Sequence, residues 1–215
     1  IIPAGSVSVF NMNGYNVSCN GANDGSITAS ASGGTGIFTY SIDGINFQPN
    51  ALFPGLFAGT YTITYKDANG CIATDQVSVL VNPNPIVNAG ADVALCAGEQ
   101  ATFTASGAQT YSWSGSVVDG TQFTPLATTT YTVTGTDANG CINTDQVLVT
   151  VNPLPVVVVA DVTICATATA TLTATGATTY SWAPATNLSA ATGATVTFTP
   201  GTTTTYTITG TTAGC

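Results

Sequence analysis

Histidine is absent from this chain, and lysine and arginine together contribute a single residue, Lys66. Without an imidazole no Ser–His or Cys–His pair can activate a nucleophile. Ten acids against one base leave a net charge of −9. That balance excludes the basic surface by which proteins bind nucleic acid or anionic membrane. No apolar run reaches membrane-spanning length, so membrane insertion is not expected, and Val156 to Ala160 reads as a strand. The start, Ile1-Ile2-Pro3, lacks the charged segment and cleavage site of a signal peptide. The expectation is therefore a mature product or a piece of something longer. Helical periodicity is also missing throughout.

Metal chemistry has little to work with. Zinc favours close cysteine pairs, often with histidine, and the chain has no CxxC. Calcium needs roughly six to eight oxygen ligands, yet no DxDxDG loop occurs. The linkers Asn82 to Pro85 and Asn152 to Pro155 hold no acid, and Asp92 and Asp161 follow them singly. Most other acids, among them Asp24, Asp43, Asp67, Asp119 and Asp137, sit beside turns, where Asp has a structural role. No catalytic residue, cofactor or metal site is expected, and the chain reads as a non-enzyme.

What the chain does contain is repetition. Thr130 to Pro155 reads TYTVTGTDANGCINTDQVLVTVNPLP, and Thr60 to Pro85 reads TYTITYKDANGCIATDQVSVLVNPNP. A third copy, TYTITGTTAGC, runs from Thr205 to Cys215. Each begins with an alternating strand, and in two of them Asn-Gly follows, the strongest short-range hairpin signal, suited to a type I′ turn. The copies lie 70 and 75 positions apart, measured at Tyr61, Tyr131 and Tyr206. A tandem array of three small modules follows. Short alternating strands with frequent turns make each an all-β, immunoglobulin-like sandwich.

The expected domains are 1–82, 86–152 and 156–215. The first holds an alternating leading strand near Ser6 to Phe10, turns at Asn23-Asp24-Gly25 and Asp43-Gly44, and strands around Ile27 and Tyr40. The second and third are closer to each other, sharing Tyr-Ser-Trp (Tyr111, Trp113; Tyr180, Trp182) and Phe-Thr-Pro. Alternation places each Tyr and Trp on one face, which favours core over a sugar-binding platform. After Cys71 and Cys141 a further strand follows, whereas Cys215 is the last residue, so the third module reads as lacking its last strand. The expected reason is that the chain continues. Alternatives are a strand donated by a neighbouring chain, for which Ile1 to Phe10 is an apolar candidate, or an incomplete, frayed module.

Modules near 70 residues bury limited apolar surface and usually need staples. Six cysteines divide two to a module: Cys19 with Cys71, Cys96 with Cys141, Cys165 with Cys215, at separations of 52, 45 and 50. One disulfide per module is the expectation, worth about 4 kcal/mol each in the chain-entropy model. Such cysteine usage points to an oxidising, extracellular setting. Reduced cysteines are the alternative.

The first module resembles the SprB-type repeat of Bacteroidota cell-surface proteins over about Val17 to Val79. The resemblance rests on Cys19-Asn20-Gly21, Asn23-Asp24-Gly25-Ser26-Ile27, Gly33-Gly34-Thr35-Gly36, Phe38-Thr39-Tyr40-Ser41, Gly59-Thr60-Tyr61 and Asp67-Ala68-Asn69-Gly70-Cys71. It departs at Ile37, commonly proline in the family, and Ile42, commonly tryptophan. The later modules resemble Ig-like or PKD-like repeats of the same giant proteins. The resemblance implies surface adhesins exported by type IX secretion and associated with gliding motility or attachment.

The resulting expectation is a cell-surface stalk: three sandwiches in a rod, joined by stiff Pro-containing linkers. Its partners would be neighbouring modules of the same or identical chains, and glycans or surfaces. Alternatives are carbohydrate-binding accessory modules of a secreted protein and a self-assembling filament subunit completed by strand donation. Asn16 and Asn187 satisfy the N-x-[ST] pattern and are candidate glycosylation sites.

Overall fold

The computed structural model describes residues 3–9 and 16–215. Ile1, Ile2 and Phe10, assigned above to a leading strand and candidate donor, lie outside the described residues. The chain is all-β, and its only helical geometry among the described residues is one 3-10 turn at Ser114–Ser116. The first repeat holds β1 (Ala4–Val9), β2 (Gly25–Ser32), β3 (Thr39–Ser41), β4 (Leu52–Leu56), β5 (Gly59–Lys66) and β6 (Ile72–Val79). The second holds β7 (Val93–Cys96), β8 (Ala101–Thr102), β9 (Thr110–Trp113), β10 (Gln122–Phe123), β11 (Thr129–Thr136) and β12 (Ile142–Asn152). The third holds β13 (Val158–Val159), β14 (Ala170–Thr175), β15 (Thr179–Ala183), β16 (Thr195–Phe198) and β17 (Thr207–Thr211).

The chain divides into two compact units. One comprises Ile1–Ala89, Ala105–Ser114 and Thr132–Asp145; the other Gly90–Thr104, Gly115–Tyr131 and Gln146–Cys215. Neither coincides with a repeat, because β11 and β12 each begin in one unit and end in the other.

In the first unit two three-stranded sheets, β1-β2-β4 and β3-β5-β6, close over a common core. Period-two alternation decides which side chains enter it. Along β2, Ile27 and Ala29 are buried while Thr28 and Ser30 face out. Ile27 and Ile63 are fully buried, each contributing about 1.5–3 kcal/mol. Strand β1 pairs antiparallel with β2, Val7 opposite Ala29, so this segment is the first repeat's own strand. The same unit carries β9 paired with β11, Trp113 opposite Val133.

In the second unit β7 runs parallel to the end of β12, Val93 opposite Val149 and Cys96 opposite Asn152. Phe103, Phe123 and Tyr131 meet edge to face, with ring centroids 5.0–5.3 Å apart. The third repeat closes sheet β13-β14-β16 onto the pair β15-β17 around Leu172, Tyr180, Trp182, Val196 and Phe198. These are the sheets of tandem immunoglobulin-like sandwiches.

One volume exchange distinguishes the subtypes. Tyr65 and Gly135 occupy the same place in their repeats. In the first, the Tyr65 ring lies over Gly5, where any Cβ would overlap it. In the second, Val87 leans on Gly135, and a Cβ there would stand 2.6 Å from its Cγ2 and 2.8 Å from the Ala108 Cβ. Val157 and Gly210 repeat that contact in the third. Large faces small in each case, with the partners exchanged.

Gly135→Ala should therefore cost about 1–3 kcal/mol, read from the urea midpoint, and Val87→Ala should recover part of it. A second expectation concerns Tyr65, whose hydroxyl is buried without a hydrogen-bond partner. Burial, with the carboxylate of Asp75 and then Tyr40 adding to it, pushes its phenol up to about 12. An unfolded tyrosine ionises near pH 10. Stability contributed by the neutral phenol is thus complete below about pH 10 and lost as pH rises toward 12. Tyr65→Phe should remove that alkaline loss, seen by circular dichroism, at little or no cost at pH 7.

Candidate functional site: the cysteine junctions

The second cysteine of each repeat sits at a hairpin tip. Gly140 N donates to Asp137 O at 3.2 Å and Asp137 N donates to Cys141 O at 3.0 Å. Gly140 has φ +84°, whereas Asn139 is not in the left-handed region. The loop is therefore a type I turn closed by a left-handed glycine, a three-residue hairpin loop, and not the type I′ turn expected from Asn-Gly. The Asp carboxylate decides the outcome. Asp137 Oδ1 accepts from Asn139 N at 2.9 Å and Cys141 N at 2.8 Å, holding the turn one residue longer. Asp67 does the same for Asn69 and Cys71. In the third repeat a shorter loop closes with Thr212 N donating to Cys215 O at 2.8 Å.

In the first two repeats the first cysteine sits where the chain leaves the repeat. Val17 bridges in parallel to Val81, just before the linker, and Cys96 lies opposite Asn152. In all three repeats the first cysteine is followed by a turn: Ala22 N donates to Cys19 O, Glu99 N to Cys96 O and Ala168 N to Cys165 O, all at 3.0–3.1 Å.

These placements overturn the expected pairing. The bridges are Cys19–Cys141 and Cys96–Cys215, with Cα separations of 5.4 and 5.5 Å. Cys71 and Cys165 are unpaired and exposed. The reason is the length of a strand. Cys71 precedes the eight-residue β6, and Cys19 lies beside residues that follow it. At about 3.3 Å per residue the two are roughly 25 Å or more apart, far beyond the reach of a disulfide. One disulfide within each repeat is thus replaced by bridges from one repeat to the next.

The first junction is well packed. Cys141 is fully buried. Its Sγ accepts from Asn82 Nδ2 at 2.9 Å and lies 3.1 Å from the Ser18 carbonyl oxygen, a contact only, since a bridged sulfur has no hydrogen. Asn143 Nδ2 donates to Pro85 O at 3.0 Å, so the linker is held rather than free.

The other candidate residues fall into place around this frame. Asn16 is 5% exposed and its Oδ1 accepts from Leu80 N at 2.7 Å, which leaves no room for a sugar. Asn187 is exposed, at φ +64°. Asp92 Oδ1 accepts from Leu148 N, and Asp161 is exposed. Asp43 ties up Asn46, Ile45 and Ser41, and the Asn46 and Ile45 donors hold its carboxyl far below the usual range. Ser18 lowers Asp24 in the same way. Trp113 and Trp182 are buried, and Trp182 Nε1 donates to Gly193 O at 2.9 Å. Tyr111 and Tyr180 hydroxyls donate back to Ala108 O and Ala177 O at 2.7 Å. These rings are core and local closures. Lys66 places Nζ 3.8 Å from the centroid of the Phe47 ring, a cation–π contact.

The SprB repeat family matches residues 15–47. No curated protein matches the sequence. Among solved structures, the chain is similar to the N-terminal eight Ig domains of Down Syndrome Cell Adhesion Molecule, isoform 1.30.30. That match has a TM-score of 0.41 at 14% identity and covers 97% of this chain and 42% of that one. Sidekick-1 immunoglobulin domains 1–5 give 0.37 at 11% identity, covering 93% and 53%. Titin-A168169 gives 0.32 at 12%, covering 71% and 100%. The chain thus spans about two-fifths of the eight-domain structure.

Peptide mapping without reduction should recover Cys19 linked to Cys141 and Cys96 linked to Cys215. The paired change Cys19→Ser with Cys141→Ser should cost about 2–5 kcal/mol in denaturant, whereas Cys71→Ser should be nearly neutral.

Proposed function

We propose that this chain is an extracellular structural or adhesive repeat region of a cell-surface protein, acting as a stalk. Its sandwich modules, 1–82, 86–152 and 156–215, are stitched to one another rather than each being closed on itself. The observation that carries this reading is the pair of bridges running from one repeat to the next. Their chemistry suits an oxidising exterior, and their placement suits a load applied along the chain. The match of residues 15–47 to the SprB repeat supports a surface adhesin of the Bacteroidota type, with export by type IX secretion and a role in gliding or attachment. The aromatic pairs that could have bound sugar are largely buried, which favours the mechanical role over a carbohydrate-binding one.

The bridges interleave along the sequence, Cys19, Cys96, Cys141, Cys215. With both closed, the shortest covalent path between the termini uses the segment before Cys19 and the 45 positions between Cys96 and Cys141. A single molecule pulled by its ends should therefore extend to about 220 Å when oxidised and roughly 750 Å when reduced, at 3.5 Å per residue. Equal extension in both states would remove the mechanical argument.

A further inference from the structure

Asparagine followed by glycine is a reactive pair, because a residue without a Cβ lets its backbone nitrogen approach the preceding side-chain carbonyl. The chain has Asn20-Gly21, Asn69-Gly70 and Asn139-Gly140 among the described residues, and Asn13-Gly14 outside them. The three described pairs sit in turns, but not at the same place in the turn.

Gly70 and Gly140 are the fourth residues of theirs, and their N–H groups close the turn. Gly70 N donates to Asp67 O at 3.0 Å and Gly140 N to Asp137 O at 3.2 Å. The Asp67 and Asp137 carboxylates also hold Asn69 N and Asn139 N, at 3.0 and 2.9 Å. Gly21 stands one place earlier. Ala22 N closes that turn onto Cys19 O at 3.0 Å, and Gly21, at φ +86°, is its third residue, as in a type II turn. The Gly21 N–H makes no hydrogen bond among the described residues. Asn20 is exposed, and its side chain is equally unheld among them. The same turn follows the first cysteine of the other repeats as Ala97-Gly98 and Ala166-Thr167, with φ +94° and +66° at the third residue. Neither offers a side-chain amide to attack.

We propose that Asn20 is a self-modifying site, converting to aspartate and isoaspartate through a succinimide formed with Gly21, while the aspartate-held tips protect Asn69 and Asn139. Solvent base takes the Gly21 N–H proton, and the nitrogen attacks Asn20 Cγ. The Cγ–Nδ2 bond breaks, ammonia leaves with a proton from water, and the ring closes. Water then adds to one of the two ring carbonyls. Opening at Cγ gives aspartate; opening at the backbone carbonyl gives isoaspartate, with the chain rerouted through the residue 20 side chain. One water enters, one ammonia leaves, and nothing is oxidised or reduced. At Gly70 and Gly140 the same step must first break the hydrogen bond that closes the turn. The product places a new negative charge in the turn beside the bridged Cys19, and isoaspartate also lengthens the backbone that Ala22 N spans to reach Cys19 O. The inference does not rest on the stalk reading.

The test incubates the full oxidised chain in mildly alkaline buffer and follows each Asn-Gly peptide by mass spectrometry, with isoaspartyl methyltransferase labelling to count isoaspartate. In the folded protein Asn20 should be lost about tenfold faster than Asn69 or Asn139. After reduction and unfolding in urea the three rates should converge. Asp137→Ala should return its tip to the two-residue Asn-Gly turn, in which glycine again stands third. Asn139 should then approach the rate of Asn20 while Asn69 stays slow, with folding checked by circular dichroism. If that variant does not fold, the comparison of folded with unfolded unaltered chain decides alone. Equal rates in the folded protein, a faster tip, an Asn20 advantage that survives unfolding, or a folded Asp137→Ala chain whose Asn139 stays slow would each overturn the proposal.

Discussion

A disulfide closes only when its Cα atoms come within about 7 Å, and a strand of eight residues holds its ends about 25 Å apart. The rest of this molecule is arranged around that mismatch. The first two repeats each carry one cysteine beside their exit linker and one at a hairpin tip, at opposite ends of the strand that joins them. Neither can reach the other. Cys19 and Cys96 instead reach the second cysteine of the following repeat, so the sulfur chemistry links successive repeats.

Within a sandwich, stability comes from apolar fit and backbone hydrogen bonding, because the chain has almost no charge pairs to draw on. Threonine fills most outward positions of β5, β11 and β14, where a branched side chain suits the pleated surface and a hydroxyl suits water, and serine takes most of those on β2. Inside, the exchange of Tyr65 over Gly5 for Val87 over Gly135 shows two solutions to one packing problem. Acids act mainly on the backbone: Asp67 and Asp137 shape the tips that bear Cys71 and Cys141, and Asp43 organises the loop that precedes Phe47.

Local pattern made much of this legible in advance. Alternation located β2, β5, β11 and β12, the repeated Tyr-Ser-Trp placed Trp113 and Trp182 in the interior, and the all-β class followed from short alternating strands with frequent turns. Two features were hidden for different reasons. The Asn-Gly pair signalled a hairpin correctly, but the aspartate two residues earlier selects a longer loop, a competition visible only once its hydrogen bonds are traced. The cysteine partners depend on which end of a strand faces the next repeat, and equal spacing along the chain carries no such direction. A sequence clue did exist: the strand of eight or more residues after each Asn-Gly-Cys makes within-repeat closure geometrically impossible if the first cysteine lies beside the linker. The parallel pairing that puts it there, Val17 with Val81 and Cys96 with Asn152, has no local signature. Burial likewise separates Asn16 from Asn187, which the short glycosylation pattern cannot distinguish.

The overlapping order of the four bridged cysteines also bears on survival outside a cell. A hydrolytic nick anywhere between Cys19 and Cys96 leaves both fragments tied through Cys141, and one between Cys141 and Cys215 leaves them tied through Cys96. A cut in the shared stretch between Cys96 and Cys141 is spanned by both bridges at once. Damage by an environmental protease would thus accumulate as scars in a molecule that still holds together, and severing it would take several cuts or a reductant.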